Sequence, residues 1–76
     1  MTEQANNIAR DLLPGFLHFI SDKKWDDQLD EMLFNDLLVH ISTECDVPEQ
    51  NLDKLSHAVL DRLQKFTKVL CPQAFD

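Results

Sequence analysis

Leu52, Leu55, Val59, Leu63, Phe66 and Leu70 recur at intervals of three and four residues, and no segment alternates apolar with polar. At 100° per residue these positions fall within an arc of about 80°, a narrow seam of the kind that inserts between two neighbouring helices. With no Asn-Gly or Asp-Gly turn and no Tyr, this period commits the chain to helices rather than a sheet.

Two further stripes precede it. From about Thr2 to Ile20, residues Ala5, Ile8, Ala9, Leu12, Leu13, Phe16, Leu17, Phe19 and Ile20 occupy one arc of about 180°. Pro14-Gly15 normally marks a break, yet the apolar phase runs straight through it and Pro14 projects outward. That pattern predicts one kinked helix curving around a core, with two short helices as the alternative. Between about Asp27 and Cys45, Leu33, Phe34, Leu37, Leu38, Ile41 and Cys45 form a stripe, with Leu29 at its edge.

The ends carry capping chemistry. Asp26 or Asp27 can cap the second helix, whose first turn then holds Asp30 and Glu31 at the positive end of its dipole. An earlier start at Ser21 would pair Ile20 with Trp25 as a hydrophobic staple, and either way Trp25 closes one end of the core. Asp46 and Glu49 have capping-box spacing, Pro48 suits a first turn, and Cys71-Pro72 stops the third helix.

The expected fold is therefore all-α: a small antiparallel bundle of three helices, or four if the first breaks at Pro14. Residues 1–76 form one domain, with helices at about 3–20 (kinked at 14), 27–45 and 49–70. A hydrophobic fraction of 43% argues against disorder, but a core built from 76 residues supplies little net stability. We expect dimerisation to complete it. Met32 and Val39, seven residues apart and about 100° from the core stripe, offer a second contact face, with Thr43 one turn further on. Scattered exposed apolar residues are the alternative.

Charge is unevenly placed. The 14 acids and 7 bases leave a formal charge of -7. Residues 25–53 hold nine acids (Asp26, Asp27, Asp30, Glu31, Asp36, Glu44, Asp46, Glu49, Asp53) and no Lys or Arg. The rest is neutral to slightly basic, with Lys54, Lys65 and Lys68 on the far side of the third helix. Such a surface argues against direct nucleic-acid binding, which needs basic side chains. It suits a basic protein partner, beyond its ordinary use in keeping a small domain soluble.

Signatures of catalysis and metal binding fail in turn. One glycine excludes a glycine-rich phosphate loop, and the acidic run at 26–36 lacks the central Gly of a calcium-binding loop. Ser21, Ser42 and Ser56 are not in the Asp-Ser-Leu setting that carries a phosphopantetheine arm. Each histidine has an Asp four residues away (His18 with Asp22, Asp36 with His40, Asp53 with His57), a spacing that can ligate Zn or Fe. Among so many acids such spacings arise by coincidence, and surface ion pairs are the preferred reading. His40 lies near the core edge, where a buried pair with Asp36 would be a structural hydrogen bond. Cys45 and Cys71 read as reduced, small hydrophobes in a cytoplasmic chain with no signal peptide, lipidation signal or membrane span.

The sequence thus leads to a non-enzymatic cytoplasmic regulator or adaptor that binds another protein and forms a homodimer, without cofactor, metal or membrane. Asp26, Asp27, Asp30, Glu31 and Asp36 would supply charge, and Met32 and Val39 apolar anchors. An immunity or phage-type inhibitor presenting acids to a basic nucleic-acid-binding protein is the alternative, and a His/Asp metal site the second.

Overall fold

Three helices of apolar period fold into an all-helical bundle in the computed structural model, which describes residues 2–75. Helix α1 spans Thr2–Ile20, α2 Asp27–Glu44 and α3 Glu49–Leu70, and a short 3₁₀ turn follows at Pro72–Phe75. The Cα radius of gyration is 12.0 Å, against about 11 Å expected of a compact chain this long. Helix α1 is continuous through Pro14, so the bundle has three helices rather than four. Pro14 is exposed, and water can satisfy the carbonyl its missing N–H leaves free.

Local chemistry sets the ends. The Asp26 side chain accepts the Leu29 N–H at 2.7 Å, which starts α2 there and not at Ser21. Ser21 instead donates its hydroxyl to the His18 carbonyl in the turn after α1. Pro48 occupies the N-cap position of α3 with no side-chain cap bond, so the Asp46–Glu49 capping box does not form. Pro48 is extended there (φ -55°, ψ 141°), one residue outside the first turn in which the spacing placed it.

Helix α3 is the central element. Helices α1 and α2 each pack along it and scarcely meet one another. Its buried residues are Leu55, Ser56, Val59, Leu60, Leu63 and Thr67, an arc of about 140°. That is wider than the sequence seam, because one helix here faces two others. Leu70 falls in the middle of the arc but is exposed, since it lies at the helix end. From α2 the row Leu29, Leu33, Leu37, Ile41 is buried, and from α1 Ala5, Ala9 and Ile20.

One end is closed by aromatic rings. Trp25 stacks on Phe75 at 5.4 Å between centroids and meets Phe16 edge-on at 5.6 Å. The Trp25 N–H donates to the Ala74 carbonyl at 2.7 Å, and its indole Nε1–H to Asp30 Oδ1 at 3.1 Å. Trp25 thus pins the 3₁₀ turn, with Cys71 and Ala74 buried beneath, against the start of α2.

The core contains a polar cost. Ser56 is fully buried and among the described residues its hydroxyl has no hydrogen-bond partner, unlike Thr67, which donates to the Leu63 carbonyl at 2.7 Å. Removing an unsatisfied hydroxyl from a core gains roughly 1 kcal/mol or more, and Ala also favours the helix. Ser56→Ala is expected to raise the melting temperature by about 4–8 °C. A lower melting temperature by circular dichroism would show that the hydroxyl is satisfied in solution.

Candidate functional site

The seven residues singled out for partner binding do not form one surface. Asp26 is spent as the α2 cap and Asp30, half-buried, as the acceptor for Trp25. Asp27, Glu31 and Asp36 are exposed and, among the described residues, make no ion pair. Around the α2 axis, Met32, Asp36, Val39 and Thr43 lie within about 60° of one another, whereas Asp27 and Glu31 lie on a different side. Met32 is 46% exposed and Val39 66%. Geometry therefore gathers Met32, Asp36 and Val39 into a flank of α2 with a carboxylate between two apolar side chains.

That flank borders a feature the sequence did not reveal. Because α1 and α2 scarcely meet, they leave a groove of about 290 Å³ between them. Leu12, Gly15 and Phe16 form the α1 wall, and Leu33, Asp36, Leu37 and His40 the α2 wall. Leu63 of α3 is the third contributor. The surface is overwhelmingly apolar, with Asp36 and His40 supplying the polar lip. A wheel of α2 cannot show this, since it depends on how far apart two helices settle on a third. The sequence did carry one hint, a single glycine at the edge of the α1 apolar stripe; in the structure a Cβ built on Gly15 meets nothing within 4 Å.

The histidines do not assemble a reactive centre. His40 is exposed rather than buried, which removes the structural hydrogen bond with Asp36 considered from the sequence. His57 Nδ1 lies 3.0 Å from the Asp53 carbonyl oxygen and 3.6 Å from its carboxylate, while its ring packs on Phe34 at 4.3 Å between centroids. It is an exposed contact between α3 and α2. Asp22, beside His18 on the turn, accepts a hydrogen bond from Lys23 at 3.2 Å, and that ammonium holds its carboxyl below the usual range. Among the described residues no three His, Cys, Asp or Glu side chains converge to hold a metal ion. Cys45, half-buried, and Cys71, buried, are free thiols. Among the same residues no helix is long and apolar enough to cross a membrane. Comparison with protein-family models, curated proteins and solved structures finds no match to this chain.

Proposed function

We propose that this chain is a non-enzymatic protein-binding regulator or adaptor that engages a basic partner through α2. One observation carries the proposal: Asp36 sits exposed between Met32 and Val39 on one flank of a helix whose whole neighbourhood, residues 25–53, has nine acids and no Lys or Arg. Apolar anchors supply affinity when buried, and unpaired carboxylates beside them steer a partner of opposite charge. The antiparallel course of the three helices and a cytoplasmic setting belong to the same proposal, supported by the short connections and the two free thiols. So does self-association through Met32 and Val39. A solution mass near the monomer's 8.8 kDa at high micromolar concentration removes that part. The inhibitor alternative draws less support, because Asp26 and Asp30 have internal partners and leave no continuous acidic strip.

The test is affinity capture from the source cell at low and high salt, repeated with two variants. Met32→Asp is expected to abolish capture, and Asp27→Asn with Glu31→Gln and Asp36→Asn to weaken it most at low salt. Capture that survives Met32→Asp overturns the proposal. Capture lost only with the charge variants would favour acidic mimicry instead.

A further inference from the structure

We propose that the groove between α1 and α2 is the seat of a basic amphipathic helix from another protein, which completes a four-helix bundle. This rests on the protein-binding function proposed above, and adds where the partner enters and what it looks like. The wall contributed by α2 runs from Leu33 to His40, about 10 Å along the axis, which is the span of anchors at i, i+3 or i+4, and i+7 on an incoming helix. Two helices held side by side on a third, without filling the space between them, leave the position a fourth helix takes in a bundle.

Charge selects the occupant. Asp36 lies in one wall, and Asp11, exposed and one helical turn before Gly15, stands just outside the other at the groove mouth. Among the described residues no Lys or Arg lines the groove, and Arg10 projects about 100° away from Asp11. A helix with an apolar stripe flanked by Lys or Arg would meet Asp36 on the α2 lip and bring its other flank toward Asp11 beyond the α1 lip. A second copy fits poorly. Its most basic helix, α3, turns Lys54, Asp61, Lys65 and Lys68 outward with no apolar stripe among them, and its α2 would oppose acid with acid.

Gly15 supports access. Packing does not require it, since a side chain there meets open space, and helix propensity disfavours it. A larger residue at 15 would stand in the groove mouth.

The test uses a synthetic 18-residue helical peptide with Leu at the apolar stripe and Lys on its flanks, and a second peptide with every Lys replaced by Glu. Trp25, in edge contact with Phe16 at the groove wall, reports binding by fluorescence, and amide shifts locate it. We expect the Lys peptide to bind, more weakly at higher salt, and to shift Leu12, Gly15, Phe16 and Leu37, while the Glu peptide does not. Gly15→Leu should cut affinity at least about tenfold while the protein melts at the same or a higher temperature. Gly15→Ala, one methyl, should keep binding and show that the helix tolerates a side chain. Equal binding of both peptides, undiminished binding to Gly15→Leu, or a dimer of the free protein that Gly15→Leu dissociates overturns the proposal. If the cellular partner is lost with Met32→Asp but still captured by Gly15→Leu, the groove assignment fails while the protein-binding function stands.

Discussion

Replacing Trp25 with Ala is expected to lower the unfolding free energy by about 3–5 kcal/mol. A chain of this size has roughly 4–11 kcal/mol in total, so the variant should be close to its folding threshold at 37 °C. The effect exceeds what its half-buried state suggests, because Trp25 touches α1, α2 and the 3₁₀ turn at once. Its ring lies between Phe75 of the 3₁₀ turn and Phe16 of α1, and its indole N–H reaches Asp30 in the first turn of α2. Aromatic pairs of this kind contribute about 0.5–1.5 kcal/mol each beyond area burial. Trp25→Phe keeps a ring between Phe16 and Phe75 but loses the Asp30 bond, and should cost only about 1 kcal/mol for that bond, together with some lost contact area. Urea melts followed by circular dichroism check both. If Trp25→Ala stays within about 1 kcal/mol of the parent, the aromatic end is not part of the cooperative unit.

The contrast between Trp25 and the groove shows what a sequence of this kind discloses. Helical class followed from period, and the number of helices was narrowed to three or four, because the phase of apolar residues is a one-dimensional property that each helix carries alone. Pro14 illustrates it: the unbroken phase across the Pro-Gly pair outweighed the local breaker, and α1 is continuous there. Properties set by neighbours were hidden. The exposure of Leu70 and the burial of Ser56, Leu60 and Thr67 depend on α3 facing two helices and ending at Cys71, which no single stripe records. Ala74 and Phe75 were missed because Cys71-Pro72 correctly marks a stop but says nothing of where the chain returns. The candidate surface divides in the same way. That Met32 and Val39 share a flank is periodicity, and that Asp26 and Asp30 are consumed as cap and indole acceptor is tertiary geometry.

Ile41→Ala should cost about 3–4 kcal/mol, whereas Val39→Ala, two residues away on the same helix, should stay within about 0.5 kcal/mol. Both remove methyl groups from a β-branched residue, so intrinsic helix preference changes in the same direction and cannot explain the difference. Exposure does. Ile41 has no accessible surface and belongs to the core row with Leu29, Leu33 and Leu37, so truncation leaves a cavity that two rigid helices cannot close. Val39 is 66% exposed, and its methyl groups face solvent in the free protein. Chemical denaturation of the two variants side by side, at a concentration where the protein is monomeric, measures the gap, and a cost at Val39 approaching that at Ile41 would mean the α2 flank is buried within the monomer itself. With the gap in place, Val39 becomes the cleaner probe of function. A side chain that contributes little to the fold, beside an exposed carboxylate and a groove open to solvent, can be altered without unfolding the chain, and any loss of partner binding there is then a loss of contact.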